Sequence, residues 1–586
     1  MPFFIYIKKI YEKEMNAMSI NEMPLEEFIY SPDTVAMILR SELITRDFME
    51  RHPNVRLGKA FPFGFTIIYV GMIDYERLSR EMENSVTYLF PYAMGLLGLQ
   101  AMDAAGIIQV QNQPYLDLSG RGVLLGFVDT GIDYTKRAFQ YEDGTSKIQY
   151  IWDQSIPGSP PYGYLYGSEY DSAKINEALR ADDPLSVVPH TDTVGHGTFL
   201  ASVAGSREPG EYLGAAPDAE IIAVKLKRAR PAEYQRFLIP IQQENTFSSD
   251  DLMMGLQYII DKAAQLKRPV AICISIGSNL GSRNGLGRLE ETISRMAGAT
   301  GVIFCAAAGN ESAARRHTHG KLIATGSTHT IELKSSVQLE DIFLQIWNNP
   351  TDRMSVSITS PAGEQIIRIP ARSGNVYRTK LIMEPSTVVV EYMFPINRNG
   401  EQLTRVKIMS SSPGVWKITL HGDVINDGTF HAWLPLTGFI NPGTVFISPT
   451  PNYTIVTPAT TMGIIACGAY NSIDNSLYSS TSWGPTRIPS ISPDFVAPGV
   501  DVSGIYPSGY GTMSGTSVAA AIVTGACALM LQWGIVEKND LHMDSFRARA
   551  RLIEGCARDP NINYPNNQWG YGKLNLMNTF HAIRPI

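Results

Sequence analysis

The sequence predicts an α/β fold: a parallel sheet with helices on both faces, preceded by a small α+β unit and interrupted by an inserted β-sandwich of jelly-roll type. Three observations carry this reading. Between Gly122 and Gly326 short apolar runs alternate with stretches of helical pattern, which gives a parallel sheet. Those runs are apolar at nearly every position, as strands covered on both faces must be. From about Ser327 to Pro451 the periodicity changes to two, and beyond that segment the alternation of apolar runs and helical stretches resumes.

Taken in order, residues 1–100 mix helical patterns with one clear strand, Phe65 to Val70, bounded by Pro62 and Gly64, and predict the α+β unit. The segment 101–326 supplies strands at 123–130, 220–227, 270–277 and 301–310, with helices from Asp250 to Leu266 and around Glu290. In 327–451 the run Val415 to Leu420 puts Trp416, Ile418 and Leu420 on one face and Lys417 and Thr419 on the other. Turn-rich clusters at 397–402 and 411–414 separate such runs, so this segment reads as a packing module with no catalytic group of its own. The segment 452–586 is again α/β in pattern, with a strand near 462–470 and a helix from about Ser517 to Trp533. A chain of 586 residues exceeds what one core supports, which agrees with several domains.

Composition narrows the function. The net charge of -7 provides no basic domain to neutralise phosphates, so nucleic acid is not expected as a partner. The five cysteines, Cys273, Cys305, Cys467, Cys527 and Cys556, are an odd number without a Cys-x-x-Cys pair, and predict neither a disulfide framework nor a zinc site. The first residues run apolar and then charged, the reverse of a secretory signal, and no run of about 18 apolar residues stands out to span a bilayer. The expectation is a protein not exported by a signal peptide and without a transmembrane segment.

Three segments carry reactive side chains among small neighbours: Gly126 to Gly131 with Asp129, Gly195 to Thr198 with His196, and Gly515 to Ala520 with Ser517. Singly these read as a strand-ending turn, a loop histidine and a helix cap. Together they supply a weak nucleophile, a base to take its proton and a carboxylate to fix the imidazole tautomer. Ser517 opens a helix, where unpaired N–H groups favour a developing oxyanion.

In the order Asp129, His196, Ser517 these segments resemble the three boxes of the subtilisin family, and the match runs over about 106–326 and 452–580. The resemblance implies a serine endopeptidase that cleaves protein substrates, with a catalytic triad of Asp129, His196 and Ser517. Phe304 to Asn310 resembles the family's oxyanion strand, which assigns Asn310 as side-chain donor beside the Ser517 N–H. Ser275, Ile276 and Gly277 resemble the edge strand that pairs with substrate. The chain departs from the pattern in the 67 positions between Asp129 and His196, in the 207 between Asn310 and Ser517, and in Ala521-Ile522, where many members have proline and histidine.

The N-terminal unit, the inserted sandwich and the Ser517 segment together resemble the clostridial Csp germination proteases. That implies a prodomain (1–100) that acts as chaperone and inhibitor, is cut off near Gln100 and stays bound non-covalently. It also implies a cytoplasmic or spore-associated protease that activates a cortex-lytic zymogen on germination. The alternative is a non-catalytic, germinant-sensing pseudoprotease, and a second rival is a peptide ligase or transferase. No cofactor is expected. Asp182, Asp183, Asp192 and Asp250 offer oxygen ligands of the type calcium takes, although solvated loop charge is the commoner role for such residues.

Overall fold

The computed structural model describes residues 23–81, 88–89, 93–96, 103–208, 212–396, 400–487 and 490–583. Its centre is an eight-stranded sheet in the order Phe495–Pro498, Ile465–Tyr470, Val302–Ala307, Val270–Ile274, Leu124–Asp129, Glu220–Lys225, Ile148–Asp153, Ser168–Asp171. All neighbours pair in parallel except the last two. Strands such as Leu124–Asp129 and Val302–Ala307 are buried at every position, because helices cover both faces. One face packs against helices His196–Gly205 and Thr516–Leu531, the other against Ser249–Leu266 and Arg288–Met296.

The stretch Thr516–Val536 is long and apolar enough to cross a membrane, with an 18-residue window of mean hydropathy 1.8, yet 89% of that window is buried. It is the central helix of this core, and its length and apolar character follow from being enclosed on all sides. All five cysteines are buried and free.

The N-terminal unit is a four-stranded antiparallel sheet in the order Arg56–Phe61, Phe65–Gly71, Thr34–Arg40, Tyr88–Leu89. Alternation explains why its middle strands are buried at every position but Arg40. Val35, Met37, Leu39, Ile68 and Val70 pack under the unit's own helices, while Ala36, Ile38, Ile67 and Tyr69 join the core that contains helix Ser249–Leu266.

The sandwich consists of a six-stranded and a five-stranded sheet, and Trp416, Ile418 and Leu420 point into its core as their alternation predicts. Its first strand is His317–Lys321, which pairs with Thr429–Trp433 ahead of the boundary expected at 327. That strand has no aliphatic or benzenoid side chain and leaves no hydrophobic period to read. It is held by rings instead, with His317 stacked on Trp433 at 4.7 Å and on His431 at 5.3 Å.

In strand Glu340–Asn348, Ile342, Leu344 and Ile346 face the sandwich core while Phe343 faces away and meets Phe237 edge-on at 5.5 Å. Phe343 thereby joins the central core together with Leu436 and Phe439. Truncating it opens a cavity at this junction, so Phe343→Ala is expected to cost about 3–5 kcal/mol of stability. Denaturant unfolding checks this, and a loss below about 1 kcal/mol would show that the two parts do not fold as one.

Candidate active site

Asp129 and Asn310 lie at or just beyond the carboxyl ends of parallel strands, where open α/β sheets gather ligands. His196 and Ser517 lie in the first turns of the two helices that cover the same face. The close approach of helix His196–Gly205 depends on Gly197, since a side chain there would collide with the Gly131 carbonyl and crowd Asp129. Gly197 N also donates to Thr130 Oγ1 at 3.0 Å.

The Asp129 carboxylate is 1% exposed and faces the imidazole squarely, with His196 Nδ1 2.8 Å from Oδ1 and 3.0 Å from Oδ2. Oδ1 further accepts from Thr130 N at 2.7 Å, and Oδ2 from the Ser275 hydroxyl. Burial alone would raise this carboxyl. Attraction to His196 and the hydrogen bonds from His196, Ser275 and Thr130 outweigh it and hold the group below the usual carboxylate value.

Ser517 is fully buried, and its Oγ donates to the Ser275 carbonyl at 3.1 Å. Ser275 therefore touches both the carboxylate and the hydroxyl. Asn310 is oriented by Thr516, whose backbone N–H (3.2 Å) and Oγ1 (3.3 Å) both address Asn310 Oδ1. With its oxygen held in this way, the amide keeps Nδ2 as the end available to donate.

Of Ser275, Ile276 and Gly277, the last two form a short strand at the edge of a three-stranded sheet, and it is already paired. Strand Ala93–Leu96 runs antiparallel to it with Ile276 opposite Leu96 and Gly277 opposite Gly95. On its other side Ala93–Leu96 pairs with Phe247–Ser248, so the N-terminal segment lies as the middle strand of three. Gln100 lies outside the described residues.

Sequence reasoning missed several supports, some of them contacts between distant positions and some local caps. His190 and Asp153, both buried, form a second imidazole–carboxylate pair at 2.7 Å, and His190 Nε2 accepts from Ile132 N at 3.2 Å beside the Asp129 turn. Asp192 caps the His196 helix by accepting from Gly195 N (2.8 Å) and Thr198 N (2.9 Å). Asp250 pairs with Arg230 at 3.3 Å, and Asp183 caps the short turn Pro184–Ser186. Of the aspartates considered for calcium, Asp183, Asp192 and Asp250 are thus engaged by different partners. Among the described residues no group of three or more His, Cys, Asp or Glu is placed to hold a metal.

Comparisons with known proteins agree with this geometry. The model of the subtilase family matches residues 120–378 and 439–572. The structure of the Clostridium perfringens CspB protease superposes with a TM-score of 0.72 at 32% identity, covering 82% of this chain and 97% of that one. The membrane-bound transcription factor site-1 protease of Mus musculus is 29% identical over 180 residues, 29% of this chain and 15% of that protein. The subtilase-type proteinase RRT12 of Saccharomyces cerevisiae is 28% identical over 109 residues, 17% of this chain and 21% of that protein. The match therefore spans about a fifth or less of the curated relatives' length.

Proposed function

The chain belongs to the subtilase family of serine proteases, and from that premise we propose that it cleaves peptide bonds through an acyl-enzyme formed on Ser517. The observation that carries the reading is the buried Asp129–His196 pair, joined through Ser275 to the Ser517 hydroxyl. In this mechanism Ser517 Oγ turns from the Ser275 carbonyl toward the substrate carbonyl, and His196 accepts its proton. Asp129 keeps the imidazole in the tautomer that can accept and stabilises the imidazolium that forms. Charge on the tetrahedral oxygen is met by Ser517 N–H and Asn310 Nδ2, two donors fixed before reaction begins. His196 then protonates the leaving amine, and water releases the acyl group by the same steps.

A fluorophosphonate probe tests the assignment, because only an activated serine reacts with it. Peptide mapping is expected to find the label on Ser517, and a folded protein that stays unlabelled would favour the non-catalytic alternative. Asn310→Ala is expected to lower kcat by about 10²–10³-fold with little change in KM, since the donor acts on charge that exists only in the transition state. Steady-state kinetics on a peptide amide check this, and a kcat within about threefold of wild type would remove Asn310 from the role.

We further propose that residues 1–100 are a prodomain that assists folding, occupies the cleft and stays bound after cleavage. The antiparallel pairing of Ala93–Leu96 with Ile276–Gly277 supports this, as does the apolar face that the N-terminal sheet shares with helix Ser249–Leu266. The likeness to the CspB protease supports a finer role, activation of a spore cortex-lytic zymogen in a cytoplasmic or spore-associated setting. Incubating the purified enzyme with such a zymogen and sequencing new N-termini tests it, and an uncut zymogen beside an active enzyme would refute it.

A further inference from the structure

The loop Leu434–Thr444 leaves the sandwich and is tied to residues flanking strands Phe247–Ser248 and Ile276–Gly277 and to the segment after Asn310. Gln243, four residues before strand Phe247–Ser248, donates to the Gly438 carbonyl at 3.2 Å. Asn279, just beyond strand Ile276–Gly277, sets its Nδ2 3.5 Å from the Pro435 carbonyl. Arg316 donates to the carbonyls of Asn441 (3.1 Å) and Thr444, and Leu434 N donates to the Arg316 carbonyl at 2.9 Å. Leu436 and Phe439 sink into the core shared with the Ser517 helix.

At the centre of this arrangement is Glu311, the residue after Asn310. It is 2% exposed, and its two oxygens are divided between two walls. Oε1 accepts from Thr437 N of the loop at 3.3 Å, and Oε2 accepts from Asn279 Nδ2 at 2.8 Å. Burying a carboxylate costs several kcal/mol unless donors meet it, and burial raises this carboxyl while its hydrogen bonds and the Arg316 charge oppose the rise. A hydrophobic residue would fill the space at less cost, so the carboxylate calls for a role.

We propose that Glu311 is a positioning residue through which the inserted sandwich sets Asn310 and the substrate-binding strand in register with Ser517. The insertion is then part of the catalytic apparatus, where its strand pattern alone suggested packing. The inference rests on Asn310 acting as oxyanion donor. Glu311 touches no reacting atom. It fixes the backbone from which Asn310 projects, as Thr516 fixes the amide itself.

The full-length protein tests this. Glu311→Gln cannot accept from both donors, because its amide nitrogen must face one of them. Its kcat on a peptide amide is expected to fall about tenfold, with KM within about threefold of wild type and the thermal transition retained. Adding Asn279→Asp reverses donor and acceptor between the two side chains, leaves the introduced glutamine an oxygen for Thr437 N, and is expected to restore at least about a third of wild-type kcat. A merely structural role would move the thermal transition and leave kcat of the folded fraction alone. If Glu311→Gln does not fold, Thr437→Pro removes both donors that Thr437 offers Glu311, its backbone N–H and its hydroxyl, and is read in the same way. A folded variant with wild-type kcat, or a loss that the reciprocal swap leaves untouched, overturns the proposal. Wild-type protein that neither turns over nor labels at Ser517 would instead bring down the protease assignment.

Discussion

Replacing Asp129 with asparagine is expected to lower kcat about 10⁴-fold while leaving the fold intact, the scale seen when a triad carboxylate loses its charge but not its shape. The carboxylate accepts from three donors: His196 Nδ1, Thr130 N and the Ser275 hydroxyl. Asparagine has one acceptor oxygen. If that oxygen stays with Thr130 N and His196, the amide N–H₂ opposes the Ser275 hydroxyl; if it turns, the N–H₂ opposes His196 Nδ1. In the second case the imidazole moves its proton to the other nitrogen, which can then no longer take one from Ser517. Steady-state kinetics with a circular-dichroism check measure the effect, and activity within about tenfold of wild type would exclude Asp129 from the role.

The same interactions fix the sign of the pH dependence. The folded Asp129 carboxyl lies below its unfolded value, so its contribution to stability is present above the unfolded pKa and is lost as pH falls through the folded one. That window runs downward from the ordinary aspartate value, and around neutrality the group stays ionised.

The residues legible in the sequence are those whose neighbours in the chain carry the signal. Strands such as Val302–Ala307 are apolar at every position because both faces are covered, and Trp416, Ile418 and Leu420 alternate because only one face of theirs is. Asp129, His196 and Ser517 are flanked by small residues that close packing demands, which leaves a local motif. The supporting contacts have no such trace. Glu311 meets Thr437 across 126 positions and His190 meets Asp153 across 37, and nothing beside either residue announces its partner. Strand His317–Lys321 is hidden for another reason, since it is fixed by imidazole stacking where strands usually rely on an apolar face.

Self-cleavage is the remaining large effect, because it is all or none. Wild-type protein is expected to be cut once between Leu96 and Asp103, the interval that contains Gln100, and Ser517→Ala is expected to remain one chain of 64.6 kDa. The motivation is the direction and place of strand Ala93–Leu96. Held between Phe247–Ser248 and Ile276–Gly277, it lies as an added strand, as a peptide substrate would, and its antiparallel register directs its Leu96 end toward the Ser275 side. A tethered substrate of this sort has a high effective concentration, so the first turnover is expected to be intramolecular and independent of protein concentration. The two pieces are expected to co-purify. Ile67 and Tyr69 lie in the core that holds helix Ser249–Leu266, the Tyr30 hydroxyl donates to the Gln154 carbonyl at 2.8 Å, and Arg288 lies over the Phe65 ring at 4.7 Å. Intact-mass measurement of both proteins, each made without the other, decides the matter: a Ser517→Ala chain that is still cut in this interval would mean that another protease does the cutting, and an uncut wild type that labels at Ser517 would mean that the bound strand is an inhibitor the enzyme never processes.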